Sequence, residues 1–176
     1  MSEYSGNTME FSGTPASANT STQARTATDA LPAAPDLRTQ AHPTCVVCSP
    51  YHPQGLKLCF ALNDQGAAVA DFECPTSMEG YPGLLHGGVI SMLLDGAMTN
   101  CLFLHGHEAV TAQLQVRFRH PVILESPVRL YAWLTEDHPL LYRLEAQLFQ
   151  NEQLKATAQG IFMPPKNKPG GPVTCL

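Results

Sequence analysis

The chain has 176 residues, 44% of them hydrophobic, with 10 Lys and Arg against 15 Asp and Glu and a net charge of -5. That is enough for one domain with its own core, and the acidic balance excludes the basic footprint of a nucleic-acid-binding protein. No uninterrupted apolar run reaches the roughly 20 residues of a bilayer span, and the N-terminus lacks the basic-then-apolar pattern of a secretory leader.

Residues 1–41 hold twelve Ser and Thr and eight Ala with almost no large apolar side chains. Such a segment buries too little to offset its ordering entropy, so a flexible tail is expected there. Cys45 and Cys48 follow, with His42 and His52 nearby. Thiolate and imidazole suit zinc, but a structural zinc needs four ligands and no second Cys-x-x-Cys is present. The six cysteines are therefore read as free thiols of a reducing cytoplasm, with no metal and no cofactor.

Leu56 to Leu62 alternates in part and predicts a strand. The turn residues Asn63-Asp64-Gln65-Gly66 connect it to a second strand over Ala68 to Glu73. A glycine-rich stretch, Gly80-Tyr81-Pro82-Gly83-Leu84-Leu85-His86-Gly87-Gly88, then leads into an apolar run from Val89 to Leu104. That run is apolar nearly all round, which predicts a buried core helix. Gly106 suits a left-handed cap at its end. The period then changes from 3.6 to 2. Val110, Ala112, Leu114, Val116 and Phe118 form one strand face, and Thr111, Gln113, Gln115, Arg117 and Arg119 the other. Further strands are predicted over Val128 to Thr135, around Tyr142 to Leu148, and over Leu154 to Met163, after which a polar Gly/Pro tail is expected over 166–176. The fold class is α+β: one long central helix wrapped by a curved antiparallel sheet of about six strands, in a domain spanning 42–165.

Two features of the helix carry chemistry. The free N–H groups of its first turn favour negative charge, and Gly87 and Gly88 let a ligand's carbonyl oxygen come close to them. Asp95 places a carboxylate in the middle of the apolar run, where a charge is costly unless it is hydrogen-bonded, paired or put to use. A structural alternative ties Asp95 to Ser91 or Thr99, each one turn away.

These motifs resemble the hot-dog-fold acyl-CoA thioesterases, in particular the PaaI-like branch of the 4-hydroxybenzoyl-CoA thioesterase superfamily. The likeness covers roughly residues 45 to 163. It runs through Cys-x-x-Cys, Pro53-Gln54-Gly55-Leu56, the Gly80–Gly88 turn, Leu94-Asp95 and the strand from Val110 to Pro121. His-Gly-Gly followed by an acid nine residues after the His is its specific part. The resemblance implies an acyl-CoA substrate, a Gly87 amide that polarises the thioester carbonyl, and Asp95 as general base or nucleophile. Thr111 falls where several relatives have a Ser or Thr that orients the attacking water, while His86 reads as a positioning or N-terminal hydrogen-bonding residue and Gly88 as one that allows close packing. Arg117 and Arg119 would approach the phosphates of coenzyme A, as guanidinium suits phosphate. The chain departs from relatives in having Glu79 where Gln is frequent on the substrate side, Gly80 where shorter relatives have Asn, and Gly96 where an acid often follows the catalytic carboxylate.

His86 and Asp95 are nine positions apart, about 13.5 Å along a helix axis and about 180° around it. One helix therefore cannot bring its own N-terminus and its own Asp95 to a single carbonyl. Two antiparallel copies can, so a homodimer with two equivalent sites is expected, as is usual for two-fold symmetry; pairing of dimers into tetramers stays open. The rival readings are a non-catalytic hot-dog module that binds acyl-CoA or a partner protein, and a hydratase of the same fold.

Overall fold

The computed structural model describes residues 37–165. The expected tails over 1–36 and 166–176 lie outside the described residues. Of the segment expected as a tail, Leu37–Ala41 lies within the described residues and forms a short helix, α1.

The longest helix, α2, runs Gly87–Leu104, and the strands are β1 (Ala61–Leu62), β2 (Ala68–Phe72), β3 (Val110–Phe118), β4 (Val128–His138), β5 (Leu141–Gln150) and β6 (Gln153–Met163). They form one six-stranded sheet in the order β1-β2-β4-β5-β6-β3, every pair antiparallel. α2 lies against all six strands, so the sheet curves around it. This is the expected hot-dog arrangement. By length and composition α2 could cross a membrane, but eleven of its residues are buried within the domain, Leu93, Leu94, Ala97, Met98, Cys101 and Leu102 completely. The sheet supplies the other half of the core with Leu130, Ala132, Leu144, Leu148 and Phe162. Full burial of each Leu or Phe side chain among these contributes about 1.5–3 kcal/mol. The helix comes very close to β6 at Gly160, where a Cβ would stand 2.6 Å from Phe162 Cε2 and 3.0 Å from Met98 Sδ.

The expected strand over Leu56 to Leu62 is corrected to two paired residues, Ala61 and Leu62. Upstream of them, Lys57 has φ 54°, and the Leu56 and Leu58 amides donate to the carbonyls of Val46 and Val47 rather than to a strand. The β5–β6 hairpin closes through Asn151 and Glu152, both at positive φ, the geometry whose twist matches that of the flanking strands. Gly106, at φ 82°, follows α2 as the left-handed cap.

Candidate functional site

The amino end of α2 is assembled from short-range bonds. His86 is the N-cap, and its Nδ1 accepts from the Gly88 amide at 2.9 Å. A Cβ on Gly88 would stand 3.0 Å from that same nitrogen, and one on Gly80 3.0 Å from His86 Cα. Both glycines make room for the capping histidine, which accounts for Gly80. The His86 amide donates to Met78 O. Gly88 is thus satisfied by the cap, whereas the Gly87 N–H has no partner among the described residues, and the Phe118 ring lies 3.6 Å from where a Gly87 Cβ would be. This free donor stands where the positive end of the helix dipole emerges.

Glu79, placed by the resemblance on the substrate side, is engaged locally: its Oε1 accepts from the Gly83 amide at 2.6 Å. Gly83 has φ 75°, and the carboxylate pins this turn. A second support is absent from any sequence motif. Gln150, completely buried at the end of β5, accepts from the Ile123 amide and donates to the carbonyls of Ile123 and Ser126 at 2.8–3.0 Å. The loop it holds bridges to the glycine-rich turn through Leu85 N to Val122 O and Leu124 N to Gly83 O.

The middle of α2 is built differently. Asp95 Oδ1 accepts from Thr111 Oγ1 at 2.8 Å. The two local candidates do not reach the carboxylate: Ser91 Oγ donates to Gly87 O and Thr99 Oγ1 to Asp95 O, both on the helix backbone. Thr111 gets there because of a register shift between Thr111 and Gln113. Thr111 is opposite Phe162, while Leu114, Val116 and Phe118 are opposite Gly160, Ala158 and Ala156. Directly opposed residues of an antiparallel pair share a face, so Thr111 points to the helix side with Leu114 and Val116. Arg117, opposite Thr157, is on the other face. The expected common face for Thr111 and Arg117 is therefore corrected: the bulge at Ala112 shifts the alternation by one residue. Arg117 and Arg119 are exposed, and the Arg119 backbone amide donates to Lys155 O.

Burial pushes the Asp95 carboxyl above its ordinary range, opposed by the Thr111 hydrogen bond and by the charge of His42. His42, in turn, is held below the usual imidazole value by burial, opposed by the charges of Asp95 and Glu108. No spacing or motif points to this neighbour. His42 precedes α2 by more than forty residues, and its ring reaches the helix edge-on to Phe103, centroids 4.8 Å apart. Gly96 also finds its reason here, because a Cβ on it would stand 2.6 Å from Val47 Cγ1. The 42–49 segment therefore lies directly against the Asp95–Gly96 turn. Within that segment His42, Cys45 and Cys48 come together, while His52 turns away and accepts from the Gln54 amide.

A cleft of about 500 Å³ between residues 54–59 and β2 includes neither Asp95 nor Gly87. Alongside the two features runs β3, at one edge of the sheet, with Val110 53% and Phe118 54% exposed.

Residues 82–138 match the family model described as Thioesterase superfamily. The bovine acyl-coenzyme A thioesterase THEM4 is 31% identical over 106 residues, covering 59% of this chain and 44% of that protein; the chain thus spans less than half the length of this curated relative. Among solved structures, the E. coli PaaI protein of the phenylacetic acid degradation operon superposes with a TM-score of 0.57 at 18% identity, covering 61% of this chain and 83% of that one. A Streptococcus mutans protein solved with acetyl CoA bound has a TM-score of 0.57 at 19% identity, covering 60% and 86%. With residues 82–138 matching the Thioesterase superfamily model, the chain is similar to thioesterases of that family over this segment, and its single long helix and six-stranded antiparallel sheet share the fold of these neighbours.

Proposed function

We propose that this protein hydrolyses acyl-CoA thioesters at two equivalent sites between the antiparallel α2 helices of a homodimer. The observation that carries the reading is the pairing of a half-buried, Thr111-bonded carboxylate at Asp95 with an unpartnered Gly87 amide at the helix N-terminus. Eight residues separate them, about 12 Å along one axis, so a partner helix is needed to bring both to one carbonyl. The exposed edge strand β3 supports that association, since it offers free backbone groups flanked by Val110 and Phe118. The thioesterase relatives and the neighbour holding acetyl CoA support the substrate class.

In this mechanism Thr111 fixes one carboxylate oxygen of Asp95 and leaves the other for water. Asp95 takes the water's proton as the water oxygen attacks the thioester carbon. The Gly87 amide of the partner stabilises the negative charge that develops on the carbonyl oxygen; such a donor is worth about 2.7–4 kcal/mol of barrier. Collapse of the tetrahedral intermediate breaks the C–S bond. The sulfur leaves as thiolate and takes up a proton, giving a carboxylate and free coenzyme A. Arg117 and Arg119, both exposed, are assigned to the phosphates of the nucleotide.

The test is a thiol-release assay on aryl, short-chain and long-chain acyl-CoA esters, with sedimentation to give the oligomeric state. Release of coenzyme A from at least one class by a dimer or larger assembly is expected. Binding of the esters without release from any of them would favour a non-catalytic binding module, and a stable monomer would remove the shared site.

A further inference from the structure

We propose that His42, Cys45 and Cys48 form a binding site for a soft divalent cation of the zinc class, which closes the loop that packs against the middle of α2. One ligand atom from each residue lies within 4.8 Å of the other two, and His42 Nδ1 is 4.0 Å from Cys48 Sγ. Zinc bonds of about 2.3 Å to sulfur and 2.0–2.1 Å to nitrogen place tetrahedral donors about 3.5–3.8 Å apart. Small rotations of the three side chains close the remaining gap. Two thiolates and an imidazole are a soft donor set, one that selects zinc over the hard cations magnesium and calcium.

The surroundings hold these donors in place. The imidazole stands edge-on to Phe103. Cys45 Sγ accepts from the Val47 amide at 3.4 Å, the kind of outer hydrogen bond that orients and stabilises a ligating sulfur. The loop is closed on itself by Ser49, whose amide donates to Cys45 O and whose hydroxyl donates to Pro43 O at 2.6 Å. Cys48 is buried and Cys45 partly so, while Thr44 and Val46 are exposed, so solvent reaches one side of the cluster. Among the described residues no fourth His, Cys, Asp or Glu joins the group. The remaining coordination position is therefore assigned to water. On binding, the two thiols give up their protons to solvent as thiolates form. The ion would fasten a loop whose Val47 lies against Gly96, the residue after Asp95. The site does not depend on thioester hydrolysis and stands or falls separately from it.

The experiment uses the full chain, without a metal-binding tag, purified under reductant and dialysed with zinc chloride alone before gel filtration. Mass-spectrometric metal analysis is expected to find about one zinc per chain. Replacement by cobalt(II) should produce a thiolate-to-cobalt charge-transfer band, and Cys45 and Cys48 should resist alkylation until a chelator is added. The double variant Cys45→Ser, Cys48→Ser should retain less than about a tenth of the metal, whereas Cys59→Ser, at an exposed thiol outside the cluster, should keep all of it. If the double variant does not fold, the cobalt spectrum and alkylation pattern of the unaltered chain decide. Background zinc with no cobalt band, equal zinc in a folded double variant, or a Cys45–Cys48 disulfide persisting under reductant and zinc would each overturn the proposal.

Discussion

The amino end of α2 and its midpoint solve opposite problems. The amino end keeps one donor free: His86 occupies the Gly88 amide and leaves Gly87 unpaired, and the turn before it is pinned by Glu79 and Met78 through bonds spanning four and eight residues. The midpoint keeps one charge half-buried, and every group that steadies Asp95 comes from far along the chain: Thr111 from β3 and His42 from ahead of the sheet. Local bonds suffice to orient a backbone amide, because the helix already points it outward. A buried carboxylate needs partners that only tertiary packing delivers.

The largest expected effect falls on the midpoint. Asp95→Asn should lower kcat about 10²–10⁴-fold in the thiol-release assay while leaving the proposed dimer intact. It should also raise Tm at neutral pH. Burial makes the folded state hold the Asp95 proton more tightly than the unfolded chain does, so ionisation costs stability above the folded pKa. The gain from Asn should accordingly fade as pH falls through that value. An Asp95→Asn protein with near-normal turnover would dissolve the distinction between the two ends.

Thr111→Val should cost about 1.5–3 kcal/mol of hydrogen bonding to a charged group, read as a roughly ten- to hundred-fold slower rate. Its sharper signature is in the pH profile. The Thr111 bond favours the ionised carboxylate, so its loss should move the acid limb of kcat to higher pH. An unmoved limb would make Thr111 a packing residue only.

Gln150→Ala probes the amino end from a distance. It strips partners from the Ile123 amide and from two carbonyls and should destabilise the fold by about 1–3 kcal/mol, measured by urea unfolding. Gly88→Ala should cost about 1 kcal/mol as the new Cβ crowds the His86 cap. The smallest effect belongs to the exposed pair Arg129–Asp71 on β4 and β2. Despite its two bonds of 2.7 and 2.9 Å, Asp71→Ala should change stability by no more than about 1 kcal/mol.

The order of elements, the single apolar helix and the position of its carboxylate follow from the sequence, because hydrophobic periodicity and glycine placement act over a few residues. So do Gly87 and His86 at the helix start, since capping is local. Residue pairing over long separations was decided by the tertiary structure. The alternation from Val110 to Phe118 placed Thr111 with Arg117, and the bulge at Ala112, visible only against β6, turned it to Asp95. Gln150 reads as an ordinary strand-end residue until the loop it holds is folded over it. His42, Cys45 and Cys48 lack the second pair that zinc motifs display, and only the folding of residues 42–49 against α2 brings them within reach of one another. A chain specifies its local conformations residue by residue, whereas a bulge, a buried amide clamp or a three-donor cluster exists only once distant strands have chosen their register.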